Sequence, residues 1–417
     1  MAGQLTDAAM AQKVLMQAYY GKRDFNKMIA MYQETIAAQT TDEGRGDIYY
    51  LLGVAYNEMG QFDQAIAAMK NVTAGNNVAN AAAVIEALTT GEGKVINDIS
   101  EISAVGHRVV QGGSLYSESV LIDSKVLADI EELSALAPLH NPAHALAMRA
   151  CTKVFGENVP QVATFDTAFH QTMPERAYMY GIPYEYYEKY QIRRYGAHGT
   201  SHRYVSARLG EILGYTPSKV ITCHLGNGCS ISAIKDGKCV DTSMGLTPLD
   251  GFMMGTRSGG LDPSVVTFIA EKEGCTPEEM SQLLNKKSGL LGISGVSSDD
   301  RDVSAAEEAG NERAHLAHEM LYYQIAKYIG SYYVALGGCD AIVFTAGLGE
   351  NQPALREGVC NYLECLGVKL DKDANNATIH GRQGTLTTAD SKIRVELIAT
   401  DEEMVIARDT KSIVEAL

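Results

Sequence analysis

The sequence lacks the patterns that mark several large classes of protein. None of its eight cysteines forms a C-x-x-C pair, and four of them (Cys223, Cys229, Cys239 and Cys339) lie in or beside apolar, strand-like runs. A free thiol in such a run behaves as a small hydrophobic side chain, so these spacings argue against a disulfide framework or a zinc site. The first 20 residues have no basic stretch followed by an apolar core, and no apolar run is long enough to span a bilayer. We therefore expect a cytoplasmic protein.

Positive charge is also scarce. The chain has 35 Lys and Arg against 51 Asp and Glu, and its formal net charge is −16. No cluster of cations offsets this negative field, so nucleic acid and anionic membranes are not expected as partners. An anionic substrate would need a local basic pocket, which makes Arg and His residues in glycine-rich contexts the candidate ligands.

The remaining composition is that of an ordinary globular protein. Hydrophobic residues make up 46% and charged residues 21% of the 417 residues. A chain of this length can form two or three domains with substantial cores.

Two segments near the N-terminus resemble each other at a spacing of 37 residues. Five apolar positions recur in the same order, Leu15, Tyr19, Phe25, Ile29 and Tyr32 in the first copy and Leu52, Tyr56, Phe62, Ile66 and Met69 in the second. The second copy resembles a tetratricopeptide repeat, in which Gly53 and Ala65 would let paired helices approach closely. A plain helical hairpin is the alternative. We predict a helical repeat segment over residues 1–70, which packs on the rest of the chain or on a partner protein.

From residue 95, short apolar runs alternate with helical stretches, a pattern typical of α/β proteins. KVITCHLGNGCSISAIKDGKCVDTSM predicts a strand ending at Leu225, a tight turn over 226–228, a strand through Ile234, a hairpin and a third strand. DAIVFTAGLGENQPALREGVCNYL predicts a buried strand, a glycine loop and a helix that begins near Pro353. Glycines let a backbone approach phosphate oxygens. Each turn alone could be a simple connection, but the two together favour a nucleotide site of neither the dinucleotide nor the Walker type.

The polar residues between 106 and 260 fall into compact motifs with apolar flanks: GHRVVQGG, LAPLHNP, FDTAFHQTMP, YGAHGTSH and MGTRSGG. Arg108 and Arg257 each stand among apolar residues and glycines, which suits a guanidinium that binds a carboxylate or phosphate; a salt bridge to Asp or Glu is the alternative. Asp166 follows a strand-like run and is either a helix cap or a catalytic carboxylate. His198 and His202 have metal-ligand spacing only if helical, which Gly199 disfavours.

The predicted C-terminal helix begins with polar residues that could have either of two roles. Thr400 and Glu403 have capping-box spacing at its start. Capping and magnesium coordination are the two interpretations of this cluster.

Taken together, these motifs resemble those of the acetate kinases, in the acetate and sugar kinase, Hsc70 and actin superfamily. The resemblance runs from about residue 70 to the end and includes HLGNG, a D-x-R stretch, TAG-GEN and an acidic E-E pair near the C-terminus, all in the family's order. It implies two actin-like, ribonuclease H-like lobes that transfer a phosphoryl group directly between ATP and acetate. The expected organisation is the repeat over 1–70, an incomplete N-terminal lobe over 71–195 and a nucleotide-binding lobe over 196–417, whose last helix returns to the first lobe.

The resemblance also implies roles for particular residues. The catalytic group would be Asp166, His198 and Arg257. Acetate or acetyl phosphate would be bound by Arg108, Val110, Leu139 and Pro248. ATP or ADP would be bound by His224, Leu225, Gly226, Asn227, Gly228, Asp299, Asp300, Arg301, Gly347, Leu348, Gly349, Glu350 and Asn351. Glu402 would bind Mg²⁺ or Mn²⁺, and the lobe over 196–417 would form a homodimer.

The sequence departs from the family in three places. The family's initial strand and its N-x-G-S-S-S-L-K phosphate turn are absent, and the predicted repeat stands in their place. Gln111 replaces a His, and Ala197 replaces a bulky aromatic residue, which predicts room for propionate. The sequence therefore predicts an acetate kinase whose activity is reduced by the missing turn; the alternative is an impaired descendant that acts as a nucleotide-binding or interaction protein.

Overall fold

The computed structural model of the chain describes residues 25–38, 45, 48–49, 51–52 and 95–417, apart from 139. Most of the predicted repeat, including Gly53, Phe62 and Ala65, lies outside the described residues. Within the described ranges, no helix combines the length and the apolar character needed to span a membrane.

The strands alternate with helices along most of the chain, as expected for an α/β protein. The strands are β1 (Val105–Val109), β2 (Val120–Leu121), β3 (Gln161–Phe165), β4 (Lys219–Leu225), β5 (Cys229–Lys235), β6 (Lys238–Thr242), β7 (Ala341–Thr345), β8 (Gly384–Thr385) and β9 (Arg394–Leu397). The described α-helices are α1 (Phe25–Ala38), α2 (Ser124–Glu132), α3 (Asn141–Phe155), α4 (Glu175–Tyr178), α5 (Glu185–Tyr190), α6 (Gly199–Leu213), α7 (Pro263–Glu273), α8 (Pro277–Lys286), α9 (Gly289–Ser294), α10 (Asp300–Glu308), α11 (Glu312–Leu336), α12 (Ala346–Asn351), α13 (Pro353–Leu363), α14 (Lys372–Ala377) and α15 (Glu402–Val414).

The described residues group into two compact units. The first comprises residues up to 111, 119–164 and 406–417, and the second comprises 112–118 and 165–405. The predicted lobe boundary after residue 195 thus falls inside the second unit, and the end of α15 groups with the first.

The first unit contains a three-stranded sheet in the order β1-β3-β2. Strands β2 and β3 are antiparallel, with Val120 opposite Ala163. Helices α2 and α3 pack on each other, and α3 also packs on β1. Near the N-terminus, Met28 of α1 and Ile48 are fully buried, and the part-buried apolar side chains around them are Ile29, Tyr32, Ile36 and Leu51. Helix α1 therefore has one apolar side, which includes Met28, Ile29 and Tyr32; the repeat itself stays a prediction.

The second unit is built on a six-stranded sheet in the order β6-β5-β4-β7-β9-β8. Strands β4, β7 and β9 are parallel, whereas β5, β6 and β8 each run antiparallel to a neighbour. Successive side chains of a strand point to opposite faces. Ile221, Cys223 and Leu225 of β4 therefore enter the main core with helices α11 and α13. Val220 lies on the opposite face and packs against Val205 of α6.

The strand and turn predictions for residues 219–242 are confirmed: β4 ends at Leu225, β5 begins at Cys229, and a hairpin leads into β6. The predicted glycine loop after β7 is wrong, because residues 346–351 form α12 directly at the strand end. Pro353 then begins α13, as predicted. The side chain of Glu350 accepts a hydrogen bond from the Ala346 amide, which satisfies one of the unpaired N–H groups of the first turn.

Candidate active site

The turn between β4 and β5 lies close to the side chains of Arg257 and His198. The amide of Gly226 donates to the carbonyl of Gly228 over 3.1 Å, which closes the turn. A Cβ atom at Gly228 would lie 3.2 Å from Arg257 Nη1 and 3.4 Å from His198 Nε2. The guanidinium and the imidazole therefore converge on this turn, and a methyl group at residue 228 would be in tight contact with the guanidinium.

Arg257 is held in place by the loop that precedes it. Its Nη1 donates to the carbonyl of Pro248 over 3.2 Å, so the predicted substrate residue Pro248 lies beside the predicted catalytic guanidinium. Burial lowers the pKa of Arg257 from its ordinary value, but a guanidinium stays protonated in proteins. The turn therefore faces a permanent, partly desolvated positive charge.

Asp166 directly follows β3 and is 1% exposed. Its Oδ1 accepts a hydrogen bond from the hydroxyl of Thr200, 3.2 Å away, and its carbonyl accepts one from the amide of Gly199 over 2.9 Å. A Cβ atom at Gly199 would lie only 2.1 Å from that carbonyl oxygen. The carboxylate is thus fixed against the first turn of α6, which directly follows His198, and Asp166, His198 and Arg257 all lie in the second unit.

His198 immediately precedes α6 with φ of 58°, in the left-handed region. Its Nδ1 lies 2.8 Å from the hydroxyl oxygen of Ser230, and its ring stacks on that of His224 with centroids 4.1 Å apart. His202 lies inside the helix, where hydroxyl groups of Thr222 and Ser230 contact both of its nitrogens. The two histidines are therefore part of a hydrogen-bonded network with hydroxyl groups, not a metal-binding pair.

His224 connects this network to the start of α15. Its Nδ1 lies 2.8 Å from Ser201 Oγ and 4.0 Å from Glu402 Oε1. Ser201 Oγ in turn lies 2.7 Å from Thr400 Oγ1. Of the two interpretations of this cluster, capping by Thr400 and Glu403 is not what the structure shows: Asp401 supplies the cap, accepting from the amide of Met404 over 2.9 Å.

The metal prediction depends on a single carboxylate. Among the described residues, no group of three His, Cys, Asp or Glu side chains could hold a metal ion. Glu402 is nevertheless well placed: its side chain is 15% exposed and it is the first residue of α15. Mg²⁺ usually takes one or two carboxylates and completes its shell with substrate phosphates and water, so this lone carboxylate fits magnesium bound together with a nucleotide.

The predicted adenosine-binding stretch divides into an exposed and a buried part. Asp299 caps α10 and pairs with the exposed guanidinium of Arg301 at 2.6 Å; this hydrogen bond lowers the pKa of the Asp299 carboxyl to about 2. Asp300 is 5% exposed. Its Oδ1 lies 3.2 Å from His318 Nε2, and its Oδ2 accepts from the side-chain amide of Gln352. Asp300 therefore links this stretch to the residue that follows α12.

Helix α12 carries the other predicted nucleotide residues. Gly347 has open space around its Cα, whereas Gly349 packs against Leu225 and the end of β7. The carbonyls of Gly349 and Glu350 both accept hydrogen bonds from Arg356, at 2.8 and 3.1 Å. The Arg356 guanidinium is fully buried and also contacts Asn375 and Thr378. This arginine fixes the C-terminal end of α12.

The remaining substrate predictions fall mainly in the first unit. Arg108 lies at an exposed position of β1, and Val110 is half-buried just after that strand. Leu139 lies outside the described residues. Gln111 is 4% exposed. Its backbone N–H donates to the side chain of Asn141, and its backbone carbonyl accepts from the same side chain. Ala197 is 3% exposed and belongs to the main core of the second unit.

Sequence reasoning missed the hydroxyl groups around the histidines. Thr222 on β4 and Ser230 on β5 are fully buried, and Ser201 follows Thr200 on α6. The sequence pattern could have predicted these buried hydroxyl groups, because polar residues alternate with apolar ones along two strands that were predicted to be buried. In a buried strand such a polar side must find hydrogen-bond partners.

The model of the acetokinase family matches residues 53–408, and this match begins inside the stretch predicted as the repeat. The acetate kinase of Thermotoga maritima is 60% identical over 326 residues, which cover 78% of this chain and 81% of that protein. The acetate kinase of Bacteroides thetaiotaomicron is 58% identical over 334 residues, 80% of this chain and 83% of that protein.

Solved structures agree with these matches. The acetate kinase of Porphyromonas gingivalis superposes with a TM-score of 0.77 at 48% identity, covering 81% of this chain and 84% of that one. A propionate kinase from Francisella tularensis superposes with a TM-score of 0.75 at 45% identity, covering 80% and 84%. The mixed α/β fold of this chain is therefore that of these kinases.

Proposed function

The chain belongs to the acetokinase family, and we propose that it transfers the γ-phosphoryl group of ATP to acetate, and back from acetyl phosphate to ADP. In the forward direction an acetate oxygen forms a bond to the γ-phosphorus while the bond from that phosphorus to the ADP oxygen breaks. No covalent enzyme intermediate is needed. Catalysis of such a transfer comes mainly from positioning and charge neutralisation.

The observation that carries this proposal is the convergence of Arg257 and His198 on the turn at Gly228, beside the buried Asp166. An arginine and an imidazole N–H are suited to the equatorial oxygens of a transferring phosphoryl group, because charge spreads over those oxygens in the transition state. The turn presents the backbone of residues 226–228 to ATP phosphates, and Asp166 orients the reacting groups.

Two further regions are proposed to bind the nucleotide. Residues 299–301 and 347–351 would hold the adenosine, and the link from Asp300 to Gln352 supports placing them together. Glu402 would hold Mg²⁺ directly or through water. The ion, when bound with the nucleotide, neutralises charge on the phosphate oxygens.

The carboxylate substrate is proposed to be bound by Arg108, Val110, Leu139 and Pro248. The contact of Pro248 with Arg257 supports the inclusion of this proline. We also propose that propionate is accepted, since Ala197 is small beside His198. An Ala197→Phe variant that keeps the same ratio of kcat/KM for propionate and acetate would contradict this. Because Ala197 is buried in the core, the variant's fold is checked by circular dichroism first.

The organisation around the site is also proposed from the family. The two units would correspond to actin-like lobes. The protein would form a homodimer through the second unit, in the cytoplasm. The predicted repeat over residues 1–70 would pack on the rest of the polypeptide or bind a partner protein. The missing phosphate turn would reduce the rate, since loss of one charge-stabilising group commonly costs about 10²–10³-fold.

The test is acetyl phosphate formation, trapped as the hydroxamate, from acetate, ATP and Mg²⁺. The matched control is Asp166→Asn, which keeps the size of the side chain and removes its charge. Product above the control level supports the kinase. Product equal to the control, in a chain that still binds ADP by calorimetry, would reject the activity and leave a nucleotide-binding protein.

A further inference from the structure

Four side chains form a continuous hydrogen-bonded chain that ends at His198. Thr222 Oγ1 lies 2.7 Å from His202 Nδ1. His202 Nε2 lies 2.8 Å from Ser230 Oγ, and Ser230 Oγ lies 2.8 Å from His198 Nδ1. Thr222, Ser230 and His202 are all fully buried, so water does not compete for these groups.

The direction of these hydrogen bonds follows from Thr222. A hydroxyl has one proton to donate, and in the part of the chain that the structure describes, His202 Nδ1 is the only side-chain acceptor found for it. A buried donor that lacks an acceptor is costly. Thr222 therefore donates to His202 Nδ1, and a neutral imidazole that accepts at one nitrogen carries its proton on the other.

Each later bond is then determined by the one before it. His202 Nε2–H donates to Ser230 Oγ, so the single Ser230 proton goes to His198 Nδ1. His198 consequently carries its own proton on Nε2, the nitrogen that lies near Gly228 and Arg257. Burial, reinforced by His170 and His224, lowers the pKa of His202 well below 6.5. This agrees with a neutral His202 ring in the middle of the hydrogen-bonded series.

We propose that Thr222, His202 and Ser230 are positioning residues that hold His198 as the tautomer with hydrogen on Nε2. This inference rests on the proposed function only in taking that nitrogen as the one that meets the phosphoryl group. The tautomer supplies a hydrogen-bond donor without adding a second full charge next to the Arg257 guanidinium and the stacked His224 ring, where like charges would repel.

The reverse direction has different chemistry. If His198 donated from Nδ1 to Ser230, the neutral ring would present a lone pair at Nε2, and that nitrogen would repel phosphoryl oxygens. The Thr222 proton would then also lack its acceptor. The two directions therefore differ in which nitrogen of His198 carries hydrogen, which is measurable without substrate.

The experiment is ¹⁵N NMR of histidine-labelled full-length protein above pH 7.5, without nucleotide, with the His198 signals assigned by His198→Asn. We expect a pyrrole-like shift at Nε2 and a pyridine-like shift at Nδ1. Thr222→Val and Ser230→Ala should move both shifts toward a tautomer mixture, whereas Thr222→Ser, which keeps the donor, should restore them. Ser232→Ala is the matched control, since this equally buried serine on β5 bonds to Thr242 instead of an imidazole.

Kinetics supply the second readout. Thr222→Val and Ser230→Ala should lower kcat about 10- to 100-fold, the usual effect of removing a group that orients a functional one, with little change in the KM for either substrate. A pyridine-like Nε2 in the unaltered protein, or shifts that Thr222→Val leaves unchanged, would overturn the proposal. If the protein shows the expected NMR shifts but forms no acetyl phosphate, the result would support the positioning role of Thr222, His202 and Ser230 and reject the kinase activity.

Discussion

His318 Nε2 lies 3.2 Å from Asp300 Oδ1, and both side chains are at most 4% exposed. The other nitrogen of His318 lies 2.5 Å from Glu307 Oε2, so the imidazole bridges two carboxylates on α10. Because Asp300 also bonds to Gln352, this buried pair connects α10, α11 and the segment between α12 and α13.

Replacement of His318 by Leu should destabilise the second unit by about 3 kcal/mol, because it leaves the Asp300 carboxylate buried without its cationic partner. Urea unfolding followed by circular dichroism measures this loss. His315→Gln is the control, since His315 is an exposed partner of the same Glu307. Adding Asp300→Asn to His318→Leu should recover part of the loss; if it deepens the loss instead, the pair is not the cause.

The stability of the protein should also decline as the pH rises above 6.5. Burial lowers the pKa of His318, but the nearby carboxylates of Asp300 and Glu307 outweigh burial and raise the pKa above 6.5. The folded state then holds this proton more tightly than the unfolded state. Its contribution is complete below pH 6.5 and is lost as pH rises through the folded pKa. Urea midpoints of His318→Leu should lack this decline, and an equal slope in both proteins would contradict the assignment.

Acid should destabilise the protein through His170. Burial lowers the pKa of this histidine to about 4, while the unfolded chain titrates near 6.5. Between these values the unfolded state binds the extra proton, so stability falls as pH drops from 6.5 toward 4, by about 3 kcal/mol in total. His170→Gln should flatten this part of the profile of unfolding free energy against pH. An unchanged acid slope in that variant would assign the effect to other groups.

Gly228→Ala should lower kcat by up to about 10²-fold while the protein remains folded. The added methyl group would lie 3.2 Å from Arg257 and 3.4 Å from His198, so the ends of these side chains must shift; a misplacement of about 1 Å in an active site costs about 10²-fold in rate. The measurement is steady-state acetyl phosphate formation. Gly330→Ala is the control because this helical glycine has open space around it; comparable losses in both variants would refute the steric explanation.

Arg356→Lys should destabilise the protein by about 3 kcal/mol and raise the KM for ATP more than that for acetate. The guanidinium donates to four carbonyl oxygens and to the side chain of Asn375, which a single ammonium cannot reach together. The carbonyls of Gly349 and Glu350 would then be left buried without donors. Arg313→Lys, at an exposed arginine with two carbonyl partners, should have a much smaller effect.

The sequence predicted the α/β class, the strands on either side of the turn at 226–228 and the family, because each depends on short-range patterns. Buried strands appear as continuous apolar runs, and the turn requires its glycines. The family motifs also predicted Asp166, His198 and Arg257 as the catalytic group, and their roles stay a prediction. The stretch over α12 was predicted as a loop because glycine disfavours helix interiors. The structure has a helix there, in which the side chain of Glu350 accepts from the amides of Ala346 and Thr400.

By itself, then, the sequence determined the family, the strands on either side of the turn at 226–228, and the residue types available for phosphoryl transfer. Only the tertiary structure decided that Ser230 lies between His198 and His202, that Thr400 bonds to Ser201 rather than capping α15, and that Asp300 faces His318. These contacts join residues up to 199 positions apart. Their geometry depends on how the helices pack across the sheet, and local sequence patterns carry no information about that packing.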